Sequence, residues 1–250
     1  MKVLFLSAIL LAHLITPSFA QKIEIALTDD RVAVDTGFAG ARLTLFGAVT
    51  GLDDPSSVDI VSVIRGPDAQ FTVRQMKKTS LIWTPGPTHY IRRAPGLYIT
   101  YASRPVDEIA PLPAQAAHRL DPGYLDIGVT AHASASAEEL QLFRNAFLSE
   151  AENLGLYRAR VGGIQFNKGA LFTINARLPA NTPVGEYDVA VYLFRNGELI
   201  GSDNATLGVN RVGLERRVYD FAHQQPVSYG FFCVALSLIA GWLASLAFRK

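Results

Sequence analysis

Trp83, Tyr90, Tyr98 and Tyr101 surround the stretch WTPGPTHYIRRAPG, which also carries Arg92 and Arg93. Aromatic rings interleaved with guanidinium groups are the usual chemistry of a protein–protein contact. The rings supply large desolvated area, and arginine supplies a forked set of donors. Trp83, Tyr90, Arg92, Arg93 and Tyr98 are therefore the candidate interaction surface. The competing reading puts the tyrosines in a core and leaves the arginines solvated.

Other residue types capable of chemistry are present without the spacing that chemistry needs. His89, His118, His132 and His223 form no H-x-x-x-H or H-E-x-x-H pair. Asp29-Asp30 and Asp53-Asp54-Pro55 lack the D-x-D-x-D spacing that gathers oxygens around calcium, and read as turns. G-x-S-x-G, a P-loop and G-x-G-x-x-G are absent. The single cysteine, Cys233, lies inside an apolar run, where it has no internal disulfide partner. No catalytic, cofactor-binding or metal residue is assigned, and no cofactor is expected.

The elements that position these residues start with the chain ends. Val227 to Phe248 contains no Asp, Glu, Lys, Arg or His. A bilayer core of about 30 Å needs about 20 helical residues, so this run predicts one transmembrane helix over 227–248. Its serines can bond back to helix carbonyls. Ser237, Gly241 and Ser245 recur every four residues, and small residues at that spacing let a second helix approach closely. At the other end, Lys2, the short apolar run Val3–Ile15, Pro17 and Ser18-Phe19-Ala20 have the pattern of a signal peptide over 1–20. The expectation is an inner-membrane protein that crosses once, with a periplasmic bulk and a cytoplasmic C-terminus at Arg249-Lys250.

Between the ends lie all 22 acidic and 20 of the 23 basic residues, a near-neutral part with no basic stripe; nucleic acid is not an expected partner. Just before the apolar run, Leu214, Val218 and Phe221 share one helical face. Segment 213–226 reads as a juxtamembrane amphipathic helix with Arg216 and Arg217 at the membrane surface, beside lipid phosphate. Pro226 suits the first turn of the next helix.

The exported part reads as mainly β. KIEIALT, ARLTLFGAV, FTVRQM, LYITY and LFTINARL are strand candidates. Val58–Ile64 is dense enough in β-branched residues to be buried on both faces. Asn196-Gly197 predicts a tight hairpin between Tyr187–Arg195 and Glu198–Gly208. WTPGPTHYIRRAPG, rich in proline and glycine, reads as loop. Ser136 with Glu139 forms a capping box for a helix over Ala137–Leu154 that Gly155 ends. A short helix is expected near Pro105, ended by Pro111 and Pro113. The organisation expected is a β-rich part over 21–102, a helical middle over 103–158 and a second β-rich part over 159–212, forming one or two β-sandwich elements. LPANTPVGEYDVAVYLF is similar to the closing strands of immunoglobulin-like sandwiches in bacterial surface proteins.

FAGARLTLFGAV (Phe38–Val49), DIVSVIRGP (Asp59–Pro67), SRPVDEIA (Ser103–Ala110), LPANTPVGEYDVAVYLFRNGELI and YDFAHQQPVSYG with its following helix keep their order along nearly the whole chain. As an ordered set they resemble a family of alphaproteobacterial transmembrane proteins with no established activity. The resemblance implies an exported domain with one C-terminal span. It also implies a membrane partner, since members are encoded near sulfite-exporter-type permeases. The function expected is a membrane-anchored periplasmic accessory protein that contacts the bilayer and another inner-membrane protein such as a transporter. The alternatives are an envelope enzyme with scattered residues and a solute-binding sensor domain.

Overall fold

Alternation of apolar side chains builds two facing sheets. The computed structural model describes residues 22–51, 57–79, 82–130, 136–167, 170–212 and 214–247. Strands β1 (Lys22–Leu27), β3 (Ala41–Thr50), β11 (Leu171–Leu178) and β10 (Ile164–Phe166) form one sheet in the order β1-β3-β11-β10. The second runs β2-β13-β12-β4-β7-β9, from β2 (Arg31–Val34), β13 (Glu198–Arg211), β12 (Gly185–Arg195), β4 (Asp59–Arg65), β7 (Tyr98–Ala102) and β9 (Tyr157–Val161). Leu43, Leu45, Phe172 and Ile174 face Ile60, Ile64, Ile99, Val189, Val191 and Leu207 across a common core. Each such side chain contributes about 1.5–3 kcal/mol by leaving water. Segments 21–102 and 159–212 therefore share both sheets: β3 pairs with β11, and β4 with β12.

The connectivity is that of an immunoglobulin-like sandwich. The edge strand β2 pairs parallel with the last strand β13, and β13, β12, β4 and β7 follow in antiparallel order. At the start of β12 the Tyr187 hydroxyl donates to the Pro183 carbonyl at 2.6 Å, four residues upstream, the corner bond of such sandwiches. Burial raises the pKa of this phenol and keeps it protonated as a donor. Two residues on, where antibody domains carry a cysteine, stands the buried Val189. The Asn196-Gly197 turn joins β12 and β13 with both residues at positive φ, 50° and 85°.

The six-stranded sheet is covered on its other face too. Successive strand residues point to opposite sides. Ile60, Ile64, Ile99 and Tyr101 enter the sandwich core, whereas Val61, Val63, Tyr98 and Ala102 enter a second core with Ile91, Leu120, Phe147, Tyr157 and Phe194. The dense run around β4 is thus buried on both faces, as its composition implies. A three-stranded sheet, β5 (Asp68–Thr79), β6 (Ile82–Pro95) and β8 (Gly128–Thr130), closes this layer with the helices α1 (Val106–Ile109), α2 (Leu112–His118) and α3 (Ala137–Asn153). Ser136 Oγ accepts from the Glu139 N–H at 3.1 Å, and Gly155 follows α3 at φ 71°.

Two expectations are corrected. WTPGPTHYIRRAPG is strand β6, not loop. Among the described residues β8 covers β6 only at Tyr90–Arg92 and no strand pairs beside Pro85 and Pro87 on that edge, and the pairing with β5 slips between Arg74 and Met76, so the strand tolerates its prolines. Pro113 lies in the first turn of α2, and its missing N–H costs nothing there.

After β13 come α4 (Leu214–Gln224) and α5 (Pro226–Ala247). The stretch Pro226–Leu246 is long and apolar enough to cross a bilayer, and none of its apolar window is buried against the rest of the chain. Phe221 packs edge-on against Tyr229 and Phe232, at centroid distances of 5.8 and 6.3 Å, across the Pro226 junction. The expected leader over 1–20 lies outside the described residues.

Tyr187→Phe removes the corner bond and leaves the Pro183 carbonyl unpaired. A loss of about 1–2 kcal/mol is expected, read as a lower midpoint in thermal unfolding. A second test concerns Asp59. The Arg104 guanidinium grips both its carboxylate oxygens, at 2.9 and 2.6 Å, and holds its pKa below the usual carboxylate value, helped by the Ser103 hydroxyl. A lowered folded-state pKa stabilises above the unfolded value near 3.8, and the effect is lost as pH falls through the folded value. Arg104→Ala should therefore lower stability slightly at pH 7, with the difference from the parent vanishing as pH falls through the folded-state value, in denaturant titrations.

Candidate functional site

The longest pairing in the second layer is the β5–β6 hairpin, from Asp68 opposite Pro95 to Thr79 opposite Ile82. Its base is anchored by packing. Phe71 lies against Phe147 with centroids 4.9 Å apart, and Ile91 and Ala94 are buried. Two irregularities shape the rest. Between Ala69/Phe71 and the facing Ile91/Ala94, β6 carries one extra residue, with Arg93 in the left-handed region at φ 58°. A second slip faces Pro85 and Thr88. Such bulges sharpen twist and bend a ribbon.

Beyond the short β8 the hairpin continues as two strands alone among the described residues, and its outer half carries exposed apolar side chains among lysines and threonines. Ile82 is 70% exposed, Trp83 61% and Met76 49%. Lys78 faces Trp83 across the pair. Two-stranded ribbons carry little stability of their own, so large apolar groups here do not serve the core. Met76, Ile82 and Trp83 stand outside both cores.

Of the residues singled out in the sequence, Trp83 and Tyr90 are exposed on this hairpin, and Arg92 and Arg93 are exposed at its bulge. Tyr98 is not on that surface. It is 2% exposed on β7, its hydroxyl donates to the Arg119 carbonyl, and burial pushes its pKa up. Tyr101 is also buried, its oxygen accepting the Arg177 N–H at 2.9 Å. Alternation along β7 sends these two rings into opposite cores. Met76 and Ile82 were missed. Their signal was two apolar-bearing runs, FTVRQM and LIW, flanking the polar KKTS, which is a hairpin pattern.

The remaining candidates lie elsewhere. On α5 the Ser237 hydroxyl donates to the Cys233 carbonyl at 2.9 Å, Gly241 has open space where a Cβ would stand, and Ser245 is exposed. Arg216 and Arg217 belong to α4, with side chains outside the described set. His89 is buried against Phe143, with its Nε2 3.5 Å from Glu139; His118 lies by Tyr192, and His223 stacks on Tyr219. His132, Asp53 and Asp54 lie outside the described residues. Among the described residues no three His, Cys, Asp or Glu side chains gather as a metal site would require.

Exposure and burial make a direct test. Trp83→Ala should leave unfolding free energy within about 0.5 kcal/mol of the parent. Tyr98→Ala should cost about 3–5 kcal/mol by analogy with other large aromatic truncations. Chemical denaturation of the two variants decides whether the hairpin tip and β7 have the separate roles described.

No curated protein matches the chain. Among solved structures, domain 1 of VCBP3 from Branchiostoma floridae is similar at 9% identity, covering 77% of this chain and 97% of that one, with a TM-score of 0.27. The family model described as "Putative transmembrane protein (Alph_Pro_TM)" matches residues 22–250, from β1 through the C-terminal helix, and the chain belongs to that family.

Proposed function

We propose that the protein is a membrane-anchored periplasmic accessory protein. In this reading α5 holds the sandwich at the inner membrane, with the C-terminus in the cytoplasm, and the β5–β6 hairpin docks on another protein of that membrane, such as a transporter. The observation that carries the reading is the pairing of one unburied apolar helix with a hairpin tip that exposes Met76 and Trp83 on one face and Ile82 on the other. Membership of a transmembrane family supports the anchor. The signal-peptide pattern of residues 1–20 and the terminal Arg249-Lys250 support the orientation. The open face at Ser237, Gly241 and Ser245 offers a second contact, within the bilayer.

Lys78 and Arg92 beside the apolar groups fit a partner surface with an apolar centre and an acidic rim. Arg216 and Arg217 are assigned to the headgroup layer, where they would hold the domain at the membrane surface.

A photo-crosslinking amino acid at position 83, in the full chain in native membranes, tests the docking. The expected result is an adduct of discrete mass with an integral membrane protein, lost on Met76→Lys, which changes the same hairpin face, and absent when the probe stands at Glu24 on the opposite sheet. Equal labelling at positions 83 and 24, or none at 83, removes the hairpin from the interface. A reporter fused after Lys250 should be active only on the cytoplasmic side.

A further inference from the structure

The chain changes sheets at Gly162-Gly163. β9, the edge of the six-stranded sheet, ends at Val161, and β10, the edge of the four-stranded sheet, starts at Ile164. Both glycines take positive φ, 93° and 79°. β10 covers β11 from Phe172 to Ile174, the Asn175 N–H reaches the Gly163 carbonyl at 2.9 Å, and Ala176 and Arg177 lie beyond. Here a cleft of about 310 Å³ opens between the two sheet edges, within the size range of small-ligand sites.

Its lining is one-sided in chemistry. Arg160 comes from β9, Arg177 and Asn175 from β11, and Tyr101 from β7. Among the described residues no carboxylate and no histidine lines it. The Asn175 side-chain oxygen is taken by the Thr44 hydroxyl at 3.4 Å, which leaves its amide as donor. The Tyr101 oxygen already accepts the Arg177 N–H, which leaves its own proton to give. The side chains thus offer donors and positive charge. A second observation is independent of the cleft's shape. Arg177 pairs in register with Arg42 on β3, two like charges placed directly opposite. That arrangement is unfavourable. Among the described residues neither of these guanidiniums, nor that of Arg160, has an acidic partner.

We propose that this cleft binds a small oxyanion, either a tetrahedral one or a carboxylate. Arg160 and Arg177 grip it from the two sheets, and Asn175 and Tyr101 donate to its remaining oxygens. The ion then links β9 to the end of β11 that β10 leaves uncovered. The site is separate from the hairpin tip, so it stands or falls apart from the proposed docking.

The test is calorimetric titration and thermal unfolding of the full chain in detergent, with inorganic phosphate and with succinate, against sodium chloride at matched ionic strength. Saturable binding of phosphate or succinate, with a raised unfolding midpoint, is expected; which of the two binds tighter identifies the oxyanion class. Arg160→Gln should weaken it roughly tenfold to a hundredfold. Arg160→Lys, which keeps the charge and loses the fork, should fall between, and Trp83→Ala should leave binding unchanged. Arg160 is exposed at a strand end, so its variants are expected to fold, and their circular dichroism verifies this. A midpoint shift that chloride reproduces, or that Arg160→Gln leaves intact, overturns the proposal.

Discussion

Burial of the six-stranded sheet on both faces is the constraint from which the rest of the structure follows. β4 and β7 lie between β12 and β9, and every residue from Ile60 to Ile64 and from Tyr98 to Ala102 is buried. A sheet whose second face met water would present Val61, Val63, Tyr98 and Phe194 to solvent. The β5–β6–β8 layer and the three helices α1, α2 and α3 cover that face. The chain has no cysteine outside α5, so no disulfide ties the two sandwich sheets. Two apolar cores share one sheet between them, and each makes the other's geometry rigid.

Four polar side chains inside this double core bond to backbone carbonyls. Tyr98 reaches Arg119, Tyr157 reaches Pro95 at 2.7 Å, Thr100 reaches Leu120 at 3.0 Å, and Gln115 reaches Ala110 at 2.8 Å. Each donor comes from one element and each acceptor from a turn or strand end next to it. An unpaired buried carbonyl is costly, so these bonds set where the irregular segments between 95 and 125 must lie. The tyrosines act as struts with an apolar body and a polar tip. That role explains why rings next to the arginines in sequence are not next to them in space.

Core packing also explains what is left exposed. The hairpin base is held by Phe71 and Ile91, while its far half has no third strand among the described residues, so Met76, Ile82 and Trp83 are free of the body. The opposite edge of the sandwich is left open by a short β10 and carries arginines in place of apolar groups. One molecule thus offers an apolar surface and a cationic one, built from different failures of the sheets to close. The C-terminal helix adds a third unburied surface, apolar throughout and long enough for lipid.

The sequence by itself determined the strands whose apolar residues alternate, the capped helix α3, the Asn196-Gly197 hairpin and the apolar helix at the end. Each is set by neighbours within a few residues, through side-chain period, a cap or a turn's need for positive φ. Proline and glycine in WTPGPTHYIRRAPG misdirected that reading, because whether a proline breaks a strand depends on which edge is paired, and pairing is tertiary. Tertiary structure alone decided that Tyr98 is buried while Trp83 is not, since both are aromatic residues in strand-like surroundings and only the layer packed above them distinguishes them. It alone brought Arg160 and Arg177, seventeen positions apart and on different sheets, to one cleft. No local spacing encodes a contact made where the chain crosses from one sheet to the other.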